Sequence, residues 1–314
     1  MSPNNFGVQP PPVERIVRQL QTVARTWPTV IAESIGMREC EPPKPAAGAV
    51  PHRHRWAAET FGACWLGQAT VLLRMGGLTL LTDPHLEERA GFDIAGHRVG
   101  RLRSTALPAG AHDLPDLNVV LLSHAHLDHW DRSTLLRIAH PRTTVVIPTG
   151  TRRLLPSGFG EVIELPWGHE AWTRDMRITA IRPRHLGARF FFDTHRGYNA
   201  YLVEAAGRRV LFAGDTAHTG AFDHLASGPR AGVDLAILGI GSYHPWEDRH
   251  ATPEQAADMA RRMGARLILP VHHSTFRDPG EPIDEPLQRL MAACDPSKII
   301  CPRVGDSWFE PAAA

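Results

Sequence analysis

Along the chain, apolar and polar positions alternate with two different periods, and the change falls near residue 50. In the first stretch Val13, Ile16, Val17, Leu20, Val23, Trp27, Val30 and Ile31 recur at helical spacing, with Arg15, Arg18 and Gln19 between them. This predicts an amphipathic helix over residues 13–35, bent or broken at Pro28. Pro42, Pro43, Pro45 and Pro51 then mark a linker over 41–51. Residues 1–50 therefore read as a helix and a linker, and 51–314 as the main domain.

From Phe61 onward, short apolar runs alternate with turn signals. Strands are expected at 62–66, 70–74, 79–81, 119–122, 144–147, 162–165, 177–181, 200–203, 210–213, 235–238 and 267–269. Helices are expected at 133–138, 253–263 and 285–293. The second of these opens with Thr252 as N-cap, Pro253 at the first helical position and Gln255 in the capping-box place. Two batches of strands, each followed by helices, indicate an α+β fold with two sheets sandwiched between helical layers.

Composition narrows the function classes. A chain of 314 residues with 43% hydrophobic content can bury a large core. Its 34 basic and 33 acidic residues leave a net charge of +1, which argues against a nucleic-acid partner. Cys40, Cys64, Cys294 and Cys301 are scattered and form no CxxC pair, so they read as reduced thiols. The start of the chain lacks a secretory pattern and no run is long enough to span a membrane, which makes a cytoplasmic enzyme the expectation. The 18 histidines are the unusual feature, since imidazole is the common metal ligand and proton carrier.

Four ligand-type residues, His124, His126, Asp128 and His129, follow directly on the buried run Val119-Val120-Leu121-Leu122. In extended backbone, residues two apart project to the same side, so His124 and His126 can share one cation. Asp128 and His129, in the turn that follows, can address a second. His185, Asp215 and His272 each come just after another apolar run, where a side chain reaches the same rim.

The segment Ser123-His124-Ala125-His126-Leu127-Asp128-His129, with His185, Gly214-Asp215-Thr216 and Val271-His272, resembles the metallo-β-lactamase superfamily. Within it, Trp65-Leu66-Gly67-Gln68-Ala69-Thr70, Leu81-Thr82-Asp83-Pro84, Ile240-Gly241-Ser242-Tyr243, His250-Ala251-Thr252-Pro253-Glu254-Gln255-Ala256 and His272-His273-Ser274-Thr275-Phe276 resemble one branch. That branch holds the N-acyl-phosphatidylethanolamine-hydrolysing phospholipases D and lies near the L-ascorbate-6-phosphate lactonases. The resemblance covers about residues 60–310. It implies an αββα four-layer sandwich forming the catalytic domain over 51–314.

It also implies a ligand set. His124, His126 and His185 would bind one metal, Asp128, His129 and His272 the other, and Asp215 would bridge them. Catalytic roles fall to Asp128, Asp215 and His250, the last in substrate orientation or proton transfer. Zinc is the default metal, with manganese and iron as alternatives. Two divalent ions lower the pKa of a shared water, so the expected reaction is attack of a bridging hydroxide on a phosphodiester. A lactone or other carbonyl substrate is the alternative chemistry, and metal binding without turnover the alternative class. Arg98, Arg101 and Arg103, in the polar stretch 84–107, are expected to grip a phosphate, and His218 and Tyr243 to line the site. The partner is then a small-molecule or lipid-like substrate. The helix at 13–35 is expected to dock on the catalytic domain or a second copy of the chain, with peripheral membrane contact as the alternative.

Overall fold

The computed structural model describes residues 12–189, 193–276 and 281–311, and the side chains of Pro12, Val13, Arg15 and Ile16 lie outside the described part. All eleven expected strands are present. They are β1 (Phe61–Gly67), β2 (Thr70–Met75), β3 (Leu78–Thr82), β6 (Val119–Leu121), β7 (Thr144–Pro148), β8 (Glu161–Leu165), β10 (Met176–Ile181), β11 (Ala200–Ala205), β12 (Arg208–Phe212), β13 (Val233–Gly239) and β14 (Ala265–Val271). Four more were not expected: β4 (Arg89–Ile94), β5 (His97–Leu102), β9 (Glu170–Thr173) and β15 (Ser307–Phe309). The polar stretch 84–107 thus contains a hairpin, whose strands pair only with each other among the described residues and show no clean alternation of apolar and polar residues.

The strands form a seven-stranded sheet in the order β15-β1-β2-β3-β6-β7-β8 and a six-stranded sheet in the order β14-β13-β12-β11-β10-β9. Alternation along each strand sends one set of side chains between the sheets and the other outward. Along β1, Ala63 and Trp65 enter the core shared with Tyr201, Phe212, Leu235 and Ile237 of the second sheet. Cys64 and Leu66 point the other way, against Trp56 of α2 (Arg53–Ala58) and Leu135 of α3 (Arg132–Ile138). On the far side of the second sheet, Leu202, Leu211, Ala236 and Leu238 meet Ala256 and Met259 of α4 (Pro253–Arg262) and Leu290 of α5 (Glu285–Ala293). Three apolar layers between four layers of elements make the αββα sandwich.

The capping box that opens α4 is present. Thr252 Oγ1 accepts from the Gln255 N–H, and Gln255 Oε1 accepts from the Thr252 N–H at 3.0 Å. The first helix, α1 (Pro12–Ser34), corrects the expectation of a break, because it runs on through Pro28. It is tied down at both ends of its inner face. Gln19 Nε2 donates to Asp248 Oδ1 at 3.0 Å, and Ser34 Oγ accepts the Gly100 N–H of β5 at 3.1 Å. Among the described residues, no helix is long and apolar enough to cross a membrane.

Candidate metal centre

The strands that end in chemistry end on one rim. β12, β13 and β14 are mutually parallel, and β10 has the same direction because two antiparallel steps through β11 separate it from β12. Their C-terminal ends therefore place His185, Asp215 and His272 together. β6, parallel to its neighbours β3 and β7, brings the turn at 123–129 to the same edge from the opposite sheet. Gly214 allows the two sheets to approach here: it has φ +57°, and a Cβ on it would lie 2.6 Å from that of Ser123.

Asp215 is the centre of the arrangement. Its Oδ2 lies 3.2 Å from His129 Nε2, 3.4 Å from His272 Nε2, 3.6 Å from His124 Nε2, 3.7 Å from His185 Nε2 and 3.9 Å from His250 Nδ1. Asp128 Oδ2 stands on one side, 3.4 Å from His272 Nε2 and 3.6 Å from His129 Nε2. On the other side, His126 Nδ1 is 2.9 Å from His124 Nε2 and 3.4 Å from His185 Nε2. All seven expected ligands and His250 are thus brought together. They divide into overlapping groups with donor atoms within 4.8 Å of one another, among them His124, His126, His185 and Asp215, and Asp128, His129 and His272.

Electrostatics sorts these groups further. Burial pushes His124 and His185 well below the ordinary imidazole range, which leaves neutral rings with a lone pair to offer. Burial acts the same way on His129 and His272, but the carboxylates of Asp215 and Asp128 outweigh it. They raise His129 well above that range and His272 to about 10. Asp128 and Asp215 stay well below the carboxylate range, because the neighbouring His129 and His272 overcome the upward push of burial.

The donor set fits divalent cations. His129 Nε2, His272 Nε2 and Asp215 Oδ1 are buried and make no well-formed hydrogen bond within the described residues. Buried polar atoms rarely stay so, and imidazole nitrogens gathered around two carboxylates suit zinc and similar ions.

Four of the rings are oriented from behind. His129 Nδ1 donates to Asp83 Oδ2 at 2.7 Å, and Ser123 links Asp83 to His124 Nδ1, 2.8 Å away. His126 Nε2 meets the Ala188 carbonyl at 3.0 Å, and His185 Nδ1 meets that of Arg249 at 3.0 Å. Arg189 donates to the carbonyls of Ala125 and Trp130, bracing the ligand turn. Sequence reasoning quoted Asp83 within Leu81-Thr82-Asp83-Pro84 without giving it a role, and it missed Arg189. Asp83 carried the same signal as Asp215, a carboxylate after a strand, but beside Pro84 it reads as a turn.

A cavity of about 330 Å³ opens above the centre. Its walls include Arg101, Arg189 and Arg249, the ring of His250, and an apolar side formed by Val23, Trp27 and Val30 of α1. Arg101 comes within 3.6 Å of Asp128 Oδ2. The other residues expected to contact substrate lie elsewhere. Arg98 is engaged by Asp93 and Asp131. Arg103 is buried, with its guanidinium on the carbonyls of His85 and Glu87. His218 pairs with Asp258 at 3.0 Å, and the Tyr243 hydroxyl bonds to Glu285 and Arg289. Charge alone could not separate Arg101 from Arg98 and Arg103, because alternation along β5 parts Arg98 from Arg101, and burial against the His85 and Glu87 carbonyls withdraws Arg103.

A family described as "Beta-lactamase superfamily domain" matches residues 79–273. The chain belongs to the metallo-β-lactamase superfamily. An uncharacterised Mycobacterium tuberculosis protein is 30% identical over 269 residues, covering 82% of this chain and 70% of the relative. The N-acyl-phosphatidylethanolamine-hydrolyzing phospholipase D 1 of Caenorhabditis elegans is 31% identical over 232 residues, covering 68% of this chain and 64% of that one. The crystal structure of isothiocyanate hydrolase from Delia radicum gut bacteria superposes with a TM-score of 0.61 at 17% identity, covering 80% of this chain and 100% of that one. This last likeness speaks for the fold alone. Taken with the donor cluster, the family makes this chain a metal-dependent hydrolase of the metallo-β-lactamase superfamily, similar to the phospholipase D branch.

Proposed function

We propose that this hydrolase is a binuclear phosphodiesterase acting on a lipid-like substrate. The observation that carries the reading is one cavity wall that joins three chemistries: the imidazole and carboxylate cluster, the Arg101 guanidinium, and the apolar face of α1. His124, His126 and His185 would hold one divalent ion, Asp128, His129 and His272 the second, with Asp215 between them. Bound there, two such ions supply an activated water and stabilise charge on the attacked group.

The chain's own residues do the rest. Asp215, with five ring nitrogens within 3.9 Å of one oxygen, fixes the spacing of the two halves of the site. Arg101 faces the cavity from β5 and offers a planar pair of donors to a phosphodiester anion. His250 is among the more exposed of the clustered rings and sits at the cavity wall, where it orients the substrate or passes a proton to the leaving oxygen. Val23, Trp27 and Val30 exclude water beside them and accept an apolar chain. Leu20 and Ile31 on the same helix remain exposed, which favours approach to a lipid surface.

Metal content per chain, measured on protein purified without added metal, tests the reading together with hydrolysis of bis(p-nitrophenyl) phosphate and a lactone panel before and after chelation. About two ions per chain and chelator-sensitive diesterase activity are expected. Lactone turnover in excess of diester turnover would transfer the chain to carbonyl chemistry. Bound metal without turnover would make it a binding protein.

A further inference from the structure

Asp83 supports both halves of the candidate centre, His129 directly and His124 through Ser123, but another residue outside the ligand set touches only one half. Gln68 lies in the connection between β1 and β2. Its backbone takes φ +50°, just past a register shift between Trp65 and Gly67. That conformation is uncommon for a residue with a side chain and persists where surrounding contacts enforce it. Here the contacts are visible. The Gln68 N–H donates to Thr275 Oγ1 at 2.6 Å, and its carbonyl accepts from Trp65 Nε1 at 3.0 Å and from the His272 N–H at 2.9 Å. Its side chain is buried and donates through Nε2 to Asp128 Oδ2 at 2.6 Å.

Gln68 therefore fixes two members of one donor group, Asp128 by its amide and His272 by its carbonyl. The remaining group depends on other contacts: Ser123 behind His124, the Ala188 carbonyl behind His126 and the Arg249 carbonyl behind His185. We infer that Gln68 is a positioning residue that sets cation affinity at the Asp128–His129–His272 subsite and leaves the His124–His126–His185 subsite unaffected. The amide carries no charge and does not titrate, so its donor is present wherever Asp128 is ionised. Groups that orient metal ligands in this way typically change affinity about 10–100-fold when removed.

The inference rests on the two-ion reading, and zinc titration of the metal-free full chain, followed by calorimetry, separates the two. In the unaltered protein, binding resolved into two equivalents supports the reading. A single equivalent overturns the reading and the inference together. Given two equivalents, Gln68→Met, which keeps the size and removes the donor, is expected to weaken one of them about 10–100-fold. The weakened step should be the one that His272→Ala abolishes, and the step abolished by His126→Ala should be unchanged. Gln68→Asn, whose shorter amide cannot reach Asp128, should reproduce the loss if the Met variant does not fold. Two unchanged steps in either folded variant, or equal weakening of both, overturns the inference while leaving the two-ion reading in place.

Discussion

Asp83 Oδ2 and His129 Nδ1 stand 2.7 Å apart with both side chains wholly removed from solvent. The same carboxylate accepts the Ser123 N–H at 2.6 Å, so one aspartate at the end of β3 holds the start and the end of the ligand turn. The contact commits Nδ1 of His129 and turns Nε2 toward Asp215. Asp83→Ala should cost about 3–5 kcal/mol, the scale seen when one partner of a buried charged pair is deleted. It should also weaken cation binding about 10–100-fold. Urea unfolding of the metal-free protein and zinc competition with a chelator measure the two effects. A loss of affinity with unchanged stability would show that the turn does not depend on this contact.

Arg101 and Arg98 lie three residues apart but face different surroundings. Arg101 stands at the cavity, whereas Arg98 donates to Asp131, the buried N-cap of α3, at 2.6 Å. Replacing Arg101 with Met should raise the apparent KM for a phosphodiester about 10–150-fold, the worth of a charged hydrogen bond, with a smaller effect on kcat. Arg98→Met should leave KM unchanged and cost stability of about 1–3 kcal/mol, because Asp131 loses its partner in a buried place. Steady-state kinetics and unfolding curves on both variants distinguish the roles. Equal KM effects would return Arg98 to the substrate.

What the sequence made legible was whatever one local signal could encode. Apolar runs bounded by turn residues marked eleven strands, and the spacing of His124, His126, Asp128 and His129 marked the ligand turn. The end of a strand was enough to single out His185, Asp215 and His272, because the rim collects strand ends. Gln68 and Asp83 stood inside motifs that carry the resemblance but received no role, and Arg189 was passed over, since each acts through a contact with residues distant in sequence. The β4–β5 hairpin escaped for a related reason. Its strands pair only with each other and bury little, so no alternation is imposed on them. α1 was recognised as amphipathic, but periodicity could not say that its apolar face covers the candidate centre.

Gly67 has φ +101°, and a Cβ there would lie 2.6 Å from Arg103 Nη1 and 3.2 Å from Thr275 Cγ2. Arg103 cannot swing away to make room. It is buried, donates to the His85 carbonyl at 2.6 Å and to that of Glu87 at 2.8 Å, and so fixes the segment that follows Asp83. Gly67→Ala combines backbone strain with overpacking and should destabilise the fold by about 2–5 kcal/mol. Urea denaturation reads this directly. A cost below about 0.5 kcal/mol, the range of an ordinary surface change, would show that the Arg103 contact is loose.

Glu254 on α4 and Arg289 on α5 form a two-pronged pair, with Nε–Oε1 and Nη2–Oε2 both at 2.8 Å. Burial raises the Glu254 carboxyl, but the Arg289 hydrogen bonds outweigh it and hold the group below its ordinary value. A carboxyl depressed in the folded state contributes stability that is present above its unfolded pKa, about 4.3, and is lost as pH falls through the folded value. Both side chains keep more than a third of their surface in water, so the contribution is about 0.5 kcal/mol. Glu254→Gln should therefore be slightly less stable than the unaltered protein at pH 7, with the deficit closing as pH drops below about 4. Urea midpoints at pH 7, 5 and 3.5 test the sign. A deficit that stays constant across that range would assign the pair a packing role and remove its charge from the account.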